Sequence, residues 1–485
     1  MQKNNYKKQL ANNTIWHAIE SYSIIGIQLL CTFILARFLT PTDFGIVGMI
    51  VIFTSIGNTL INSGFSQALI RENKVNNNDY SSVFYFNVAL SIVLFVILYF
   101  SSGLIAKFYN QPILVAICRF TFLILILNAL YIVPQTILIR NLQFKKLCIV
   151  SLLASIVSCI VAILIAYHTH SVWALVIQNV LAYFLRTIGV WISTKWLPSL
   201  YFDFKPIKKL FYFSKNLLIS GLIGNIFNNI HSLLIGHYYK PSDLGFYSIA
   251  DRTKNVVSQT STQVIQSVTY PILSKINNEG NDIKEVYKKI ISVTIIFVGC
   301  IMSLTMSISF DIFELLMGSE EWRIAGYYLF ILGITGILYP LHAVNQNILM
   351  VKGLSSIIMK LEIARRCIML IILSITVHYD INIFIIGCAA YSFILLFLNL
   401  HICGKPISYG LLEQLRDTLP IFIRFAIMIT GSLGVASFLS ETDILLRVIV
   451  TLLTCLFIGI VAFYDNSYIR ELFNILINKK KQKSN

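Results

Sequence analysis

Apolar runs of about 20 residues, the length that crosses a membrane as a helix, recur along the whole chain between short polar connections. They cover roughly 14–36, 44–69, 81–105, 113–138, 148–168, 172–194, 211–237, 244–270, 290–310, 324–349, 357–377, 382–402, 419–439 and 444–463. Lipid cannot satisfy free backbone N–H and C=O groups, so a bundle of helices is the architecture such runs require. The pattern predicts about fourteen transmembrane helices and an all-α integral membrane protein.

The eighth run departs from the others. After an apolar start the chain turns at Pro241-Ser242-Asp243-Leu244-Gly245 and continues too polar for a lipid-facing helix. Arg252, Asn255, Gln259, Thr262 and Gln266 recur at alternating steps of three and four, which places them on one helical face. The same turn occurs earlier as Pro41-Thr42-Asp43-Phe44-Gly45. At that fixed offset polar residues face polar residues: Ser55/Asn255, Asn58/Ser258, Thr59/Gln259, Asn62/Thr262, Ser63/Gln263, Ser66/Gln266 and Gln67/Ser267. A shared turn followed by a shared polar pattern points to a tandem repeat. Six helices fit in each copy, and an even number keeps both copies in one orientation. The expected arrangement is two six-helix lobes related by a pseudo-two-fold axis along the membrane normal, with two further C-terminal helices. In residues, these are lobes 1–195 and 196–410, followed by 411–485 with its basic tail.

Composition agrees with this class. The chain has 485 residues, 56% of them hydrophobic and only 12% charged, against about 25% charged in soluble domains. Its net charge of +16 would suit nucleic acid, but the distribution argues for topology instead. Alternate connections are rich in Lys and Arg, while the opposite set holds only Arg37, Lys107, Lys240 and Arg323. The positive-inside rule then puts both termini of a multi-pass membrane protein in the cytoplasm. The first run, interrupted by Glu20 and followed by no small-residue cleavage site, reads as a retained helix. Nine cysteines without a C-x-x-C pair read as small packing residues.

The candidate chemistry lies within the helices. Glu20 stands about two turns into the first run, three residues from His17; an acidic charge there costs about 2.5–3.5 kcal/mol on insertion scales, so it has a basic partner or serves as a cation or proton site. Val51, Ile52 and Thr54 of the first copy are replaced by Asp251, Arg252 and Lys254 in the second. Asp251 and Lys254 are placed to pair at i, i+3, which makes Arg252 the clearer anion-binding candidate. In the seventh run Gly221, Asn225, Asn228 and Ser232 share a face with Asn229 beside it, suiting either interhelical packing or a hydrated lining. Arg119 and Arg186 lie deep in the first copy, Glu362 pairs with Arg365 or Arg366, and Arg424 and Arg447 are near enough to helix ends to snorkel. The segment 311–323, with Asp311, Glu314, Glu320 and Glu321, reads as solvated acidic surface, and the tail KKKQKSN as a basic membrane-surface end. No GxxxxGK[ST], G-x-S-x-G or H-E-x-x-H motif occurs. The chain is therefore read as a non-enzyme with no cofactor and no metal.

The P-[ST]-D-x-G turns at Pro41–Gly45 and Pro241–Gly245, the stretch Phe246-Tyr247-Ser248-Ile249-Ala250-Asp251-Arg252, the span count and the basic inner loops resemble the bacterial polysaccharide transporters. These include the O-antigen and teichuronic-acid flippases of the multidrug/oligosaccharidyl-lipid/polysaccharide exporter superfamily. The resemblance implies two lobes around a cationic cavity that opens alternately to each side. It also implies an undecaprenyl-pyrophosphate-linked oligosaccharide as cargo. Arg252 and Lys254, with Arg119 and Lys215, become candidates for the pyrophosphate. Asn58, Asn62, Asn225, Asn228, Asn229, Asn255 and Gln259 become candidates for sugar hydroxyls. Glu20 and Asp251 are the ion-coupling candidates. The partners expected are that lipid-linked oligosaccharide, membrane lipids, and the polymerase and glycosyltransferases of an assembly system, with no nucleic acid. Two other readings stand beside this one: a multidrug/cation antiporter of the same superfamily, and a non-transporting scaffold of a polysaccharide assembly complex.

Overall fold

The computed structural model describes residues 2–279 and 282–465, with side chains except those of 2–15, His17 and Val268. The tail KKKQKSN and the His17 side chain lie outside that description. The chain divides into two compact units between Gly245 and Phe246.

The first unit contains α1 (Gln2–Leu35), α2 (Pro41–Asn62), α3 (Phe65–Arg71), α4 (Asn77–Phe108), α5 (Leu114–Thr121), α6 (Leu123–Arg140), α7 (Phe144–Thr169), α8 (Trp173–Thr194), α9 (Phe204–Tyr238) and the first turn of α10 (Pro241–Asn255). Here α7 lies between α1 and α8, α6 packs on α4 and α8, and α9 packs on α2, α3 and α4. The second unit continues α10 through a π-helical turn (Val256–Thr260) into α11 (Ser261–Asn278). It adds α12 (Ile283–Ser307), α13 (Ser309–Met317), a 3-10 turn (Glu320–Trp322), α14 (Arg323–Val351), α15 (Ser355–Thr376), α16 (Ile381–Gly404), a second 3-10 turn (Lys405–Ile407), α17 (Leu411–Phe438) and α18 (Ile444–Phe463). Its core gathers Tyr287, Met302, Met306, Leu341, Phe425 and Met428 from α12, α14 and α17. Large apolar side chains such as Phe100, Ile192, Phe457 and Ile460 point outward, as they do where the surrounding solvent is hydrocarbon.

Among the described residues, twelve helices are long and apolar enough to cross a membrane. The other two runs, 244–270 and 357–377, also form helices, α10 to α11 and α15, but fall outside this set on composition. They are the helices that carry Asp251, Arg252 and Lys254, and Glu362, Arg365 and Arg366.

The repeated turn has a physical meaning at every fixed position. Pro opens the helix at its first turn, where a missing N–H costs nothing. The carboxylate three residues on from the N-cap accepts its backbone N–H, Thr40 N to Asp43 Oδ2 at 2.9 Å and Lys240 N to Asp243 Oδ2 at 3.2 Å. The glycines permit a close crossing between the two turns, both of which lie in the first unit. A Cβ on Gly45 would collide with the Pro241 carbonyl oxygen, and one on Gly245 with that of Pro41.

One expectation is overturned at the other end of the chain. Asp311 is not solvated surface: it is 7% exposed, on α13. Its oxygens accept Arg447 Nε at 2.9 Å and Nη2 at 2.7 Å from α18. Arg447 does not snorkel; it is held by this bidentate pair and by the Ser440 carbonyl at 3.1 Å. A charge removed from water has to take a partner with it, and here the pair ties α18 to the rest of its unit.

Two outcomes test this framework. Arg447→Ala removes both close donors from a buried carboxylate, leaving it, among the described residues, only Arg323 at 3.9 Å, and is expected to destabilise the second unit by up to about 3–5 kcal/mol, while Asp311→Leu/Arg447→Met recovers most of that loss; thermal melting in detergent reads both. Gly45→Ala forces the crossing apart and is expected to cost at least about 1–3 kcal/mol, with a comparable loss for Gly245→Ala by the same measurement.

Candidate functional site

The polar residues singled out in the sequence fall into several neighbourhoods, each within one unit. In the first unit the polar faces of α2 and α9 meet. Asn225 Nδ2 donates to Thr59 Oγ1, and Asn229 Nδ2 donates to Ser55 Oγ at 3.3 Å and to the Asn225 carbonyl at 2.8 Å. Asn58 turns to α6, where its Oδ1 accepts Asn128 Nδ2 at 2.9 Å. Asn62 keeps a buried Oδ1 with no partner among the described residues, and Asn228 is exposed. Interhelical hydrogen bonds thus hold Asn225, Asn229 and Asn58, whereas Asn62 and Asn228 retain unused polar capacity.

Glu20 lies in a second polar pocket of this unit. Ser151 Oγ on α7 donates to its Oε1 at 2.8 Å. One turn along, Ser155 Oγ accepts from Arg186 Nη2 of α8 at 3.1 Å, and Arg186 Nε is buried without a partner among the described residues. Tyr131 and Tyr183 complete the surroundings of that guanidinium. Two charges of opposite sign therefore flank a serine pair. Arg119 and Lys215 sit elsewhere. Arg119 donates from Nε to Ser102 Oγ at 3.2 Å and stacks 4.6 Å from the Tyr99 ring centre. Lys215, exposed on α9, lies 4.7 Å from the Tyr212 ring centre.

In the second unit the charges of α10 form a chain along the helix. Lys254 Nζ meets Asp251 Oδ1 at 2.5 Å, the pair expected from the spacing. The other carboxylate oxygen accepts Asn255 Nδ2 at 2.8 Å, and Asn255 Oδ1 accepts Gln259 Nε2 at 3.0 Å. Gln259 falls in the π-helical turn, and such turns are frequent at functional sites because they redirect side chains within a continuous helix. Arg252, between Asp251 and Lys254 in sequence, is exposed. Further along, Gln266 Nε2 donates to the Ala343 carbonyl at 2.7 Å.

A third cluster involves residues that were not singled out. Glu362 and Arg365 pair at 2.6 Å as expected, but they also reach Gln346, Asn399 and, through Asn399, His342. The run Pro340-Leu341-His342-Ala343-Val344-Asn345-Gln346-Asn347 carried the signal: four polar residues within an otherwise apolar span.

Two helical units of this kind, with paired charges and amide-lined faces between long apolar helices, define a multi-pass helical membrane protein. Among solved structures the chain is similar to lipid II flippase MurJ in an inward closed conformation, with a TM-score of 0.71 at 14% identity, covering 93% of this chain and 99% of that one. It is also similar to an inward-facing multidrug resistance transporter of the MATE family, MOP superfamily, with a TM-score of 0.62 at 13% identity, covering 81% and 98%. At these identities the likeness is one of fold. Residues 34–325 match the polysaccharide biosynthesis protein family, and the chain belongs to it. Relatives by sequence include the teichuronic acid biosynthesis protein TuaB of Bacillus subtilis (strain 168), 27% identical over 71% of this chain and 72% of its own. The succinoglycan biosynthesis transport protein ExoT of Rhizobium meliloti (strain 1021) is 22% identical over 69% and 67%. The lipopolysaccharide biosynthesis protein WzxC of Escherichia coli (strain K12) is 22% identical over 72% and 71%.

The α2–α9 contact can be checked by a double-mutant cycle. Thr59→Val and Asn225→Leu are expected to couple by about 0.6 kcal/mol, and by no more than about 1.7, in thermal melting of the detergent-solubilised protein.

Proposed function

We propose that this protein flips an undecaprenyl-pyrophosphate-linked oligosaccharide across the bacterial cytoplasmic membrane for surface polysaccharide synthesis. The observation that carries the reading is the family match over 34–325, which includes both repeated turns and the polar helices that follow them. Such cargo has an anionic head, many hydroxyls and a long hydrocarbon tail. Moving the head through about 30 Å of hydrocarbon requires shielding it. Arginine and lysine suit a pyrophosphate, because charge-assisted hydrogen bonds to it are short and strong. The amides and hydroxyls of α2, α9 and α10–α11 suit the sugar.

In this reading the two lobes rock about the cargo by alternating access, α9 moving with the first because it packs on α2, α3 and α4, and 411–485 accompanies the second lobe. Arg252 is the leading pyrophosphate ligand. Lys254 is held by Asp251 and would have to exchange that partner for the cargo, while Arg119 and Lys215 are accessory. Asn62 and Asn228, with polar capacity to spare, are the best placed sugar ligands in the first unit. Glu20, flanked by Ser151 and the Arg186 pocket, and Asp251 are the ion-coupling candidates. The basic bias of the charges inside the helices favours an anionic cargo over the cationic drugs of an antiporter.

The test is a reconstituted vesicle assay with a fluorescent pyrophosphate-linked oligosaccharide lipid. A hydrogen bond to a charged group is worth about 1.5–3 kcal/mol, so Arg252→Ala is expected to slow flipping by about tenfold to a hundredfold. Wild-type rates in both Arg252→Ala and Lys254→Ala proteins that insert normally would remove the assignment. No flipping by the wild-type protein would remove the transport reading and favour a scaffold.

A further inference from the structure

The segment that leads out of α8 into α9 is left without a role by this reading, yet it is tightly fastened. Ser199 N donates to Ser81 Oγ at 2.8 Å, Ser199 Oγ to Asn78 Oδ1 at 3.0 Å, and Asp203 N to Ser82 Oγ at 3.1 Å. Trp196 Nε1 donates to Asn77 Oδ1 at 2.5 Å, and its ring packs edge-on to those of Tyr80 and Phe84. The Asp203 carboxylate then caps α9 by accepting Lys205 N at 2.9 Å. The first turns of α4 thus hold residues 196–203 on one course.

On that fixed backbone, apolar side chains are turned away from the rest of the chain. Leu200 is fully exposed, Leu197 is 75% exposed and Phe204 65%. The first turns of α9 bury Ile207, Leu210 and Ser214. A second face carries Phe204, Lys208, Phe211 and Lys215 at steps of four, three and four, all of them exposed. Lys205 and Tyr212 flank this stripe and are exposed as well. Lys209, to one side, is taken by Glu72 at 2.7 Å. No ion pair among the described residues holds Lys205 or Lys208.

The level of this patch is where the unit leaves hydrocarbon. Helices α3, α6 and α8 end here, and α4 and α9 begin. Arg140, in the last turn of α6, donates to the Glu72 carbonyl just past α3 at 2.8 Å. Rings and leucines interleaved with lysines at such a level are the composition that settles between head groups and acyl chains. Topology alone accounts for the lysines. It does not account for Leu197, Leu200 and Phe204 held outward on a hydrogen-bonded backbone. The outward side chains call for an apolar neighbour, and the lysines between them for an anionic one. From Phe204 to Lys215 the stripe runs about 16 Å along α9, with the connection in addition, which is more than one head group covers and fits a bilayer surface.

We propose that residues 197–215 form a docking surface for bilayer phospholipids with net negative head groups. The leucines and rings sit in the acyl boundary, and Lys205 and Lys208, three residues apart, take the phosphates. This surface does not depend on what the protein carries.

The test uses the full-length protein in a non-ionic detergent, titrated with phosphatidylglycerol or phosphatidylcholine, with bound lipid counted by native mass spectrometry. A lysine near an anionic surface contributes about fivefold. Lys205→Gln/Lys208→Gln is therefore expected to weaken phosphatidylglycerol binding by about twentyfold to thirtyfold and to leave phosphatidylcholine binding unchanged. Lys352→Gln/Lys360→Gln, which removes two exposed lysines beside and within α15, is expected to leave both unchanged. Leu200→Ser/Phe204→Ser is expected to weaken both lipids alike. All these substitutions are at exposed positions, and melting at the wild-type temperature confirms that the variants fold. Equal binding of the two lipids by the wild type overturns the proposal, as does a loss in Lys205→Gln/Lys208→Gln no greater than in Lys352→Gln/Lys360→Gln. Capture of undecaprenyl pyrophosphate in preference to phosphatidylglycerol overturns it too, and would give the surface to the cargo.

Discussion

A charge held between helices in apolar surroundings has to bring its counter-group with it, and that requirement shapes both units. The second unit meets it with ion pairs: Asp311 with Arg447, Asp251 with Lys254 and Glu362 with Arg365. The first unit meets it with neutral groups, Ser151 on Glu20 and Ser155 on Arg186. The contrast begins in the helices that follow the two like turns, where Val51, Ile52 and Thr54 match Asp251, Arg252 and Lys254 in position. The earlier stretch is nearly uncharged, while the later one carries a charged segment that must be balanced within a turn.

The backbone differs between the copies as well. In the first, α2 stops at Ser63 and Gly64, both with positive φ of 44° and 72°, before α3 resumes. In the second, the helix runs on but loosens into the π-helical turn Val256–Thr260. Both devices interrupt the regular hydrogen-bond ladder beside the polar face. A carbonyl left without its usual intrahelical partner is an additional acceptor in a place where lipid supplies none. Amide and hydroxyl side chains are well suited to that setting.

Much of this was legible in the chain because it is local. The apolar runs give the helices, the repeated turn gives two like helix starts, and spacings of three residues give Asp251–Lys254 and Glu362–Arg365. What stayed hidden joins residues far apart in sequence. Asp311 reads as surface because its partner, Arg447, lies 136 residues away. Asn225 and Thr59, or Asn58 and Asn128, are each consistent with a wet lining until their contact is seen. His342 was hidden for a different reason: a single histidine in an apolar span carries no pattern, and its link to Arg365 runs through Asn399 of another helix. The two helices that escape a simple apolarity test are those with most of this chemistry, since the groups that lower their hydropathy are the ones that find partners inside.

The reciprocal glycine crossing ties two distant parts of the chain into one constraint. Gly45 makes room for Pro241 and Gly245 makes room for Pro41, so each turn supplies the space the other needs. A side chain at either glycine would push against the backbone of the opposite turn, and relief at one position cannot be had by changing the other.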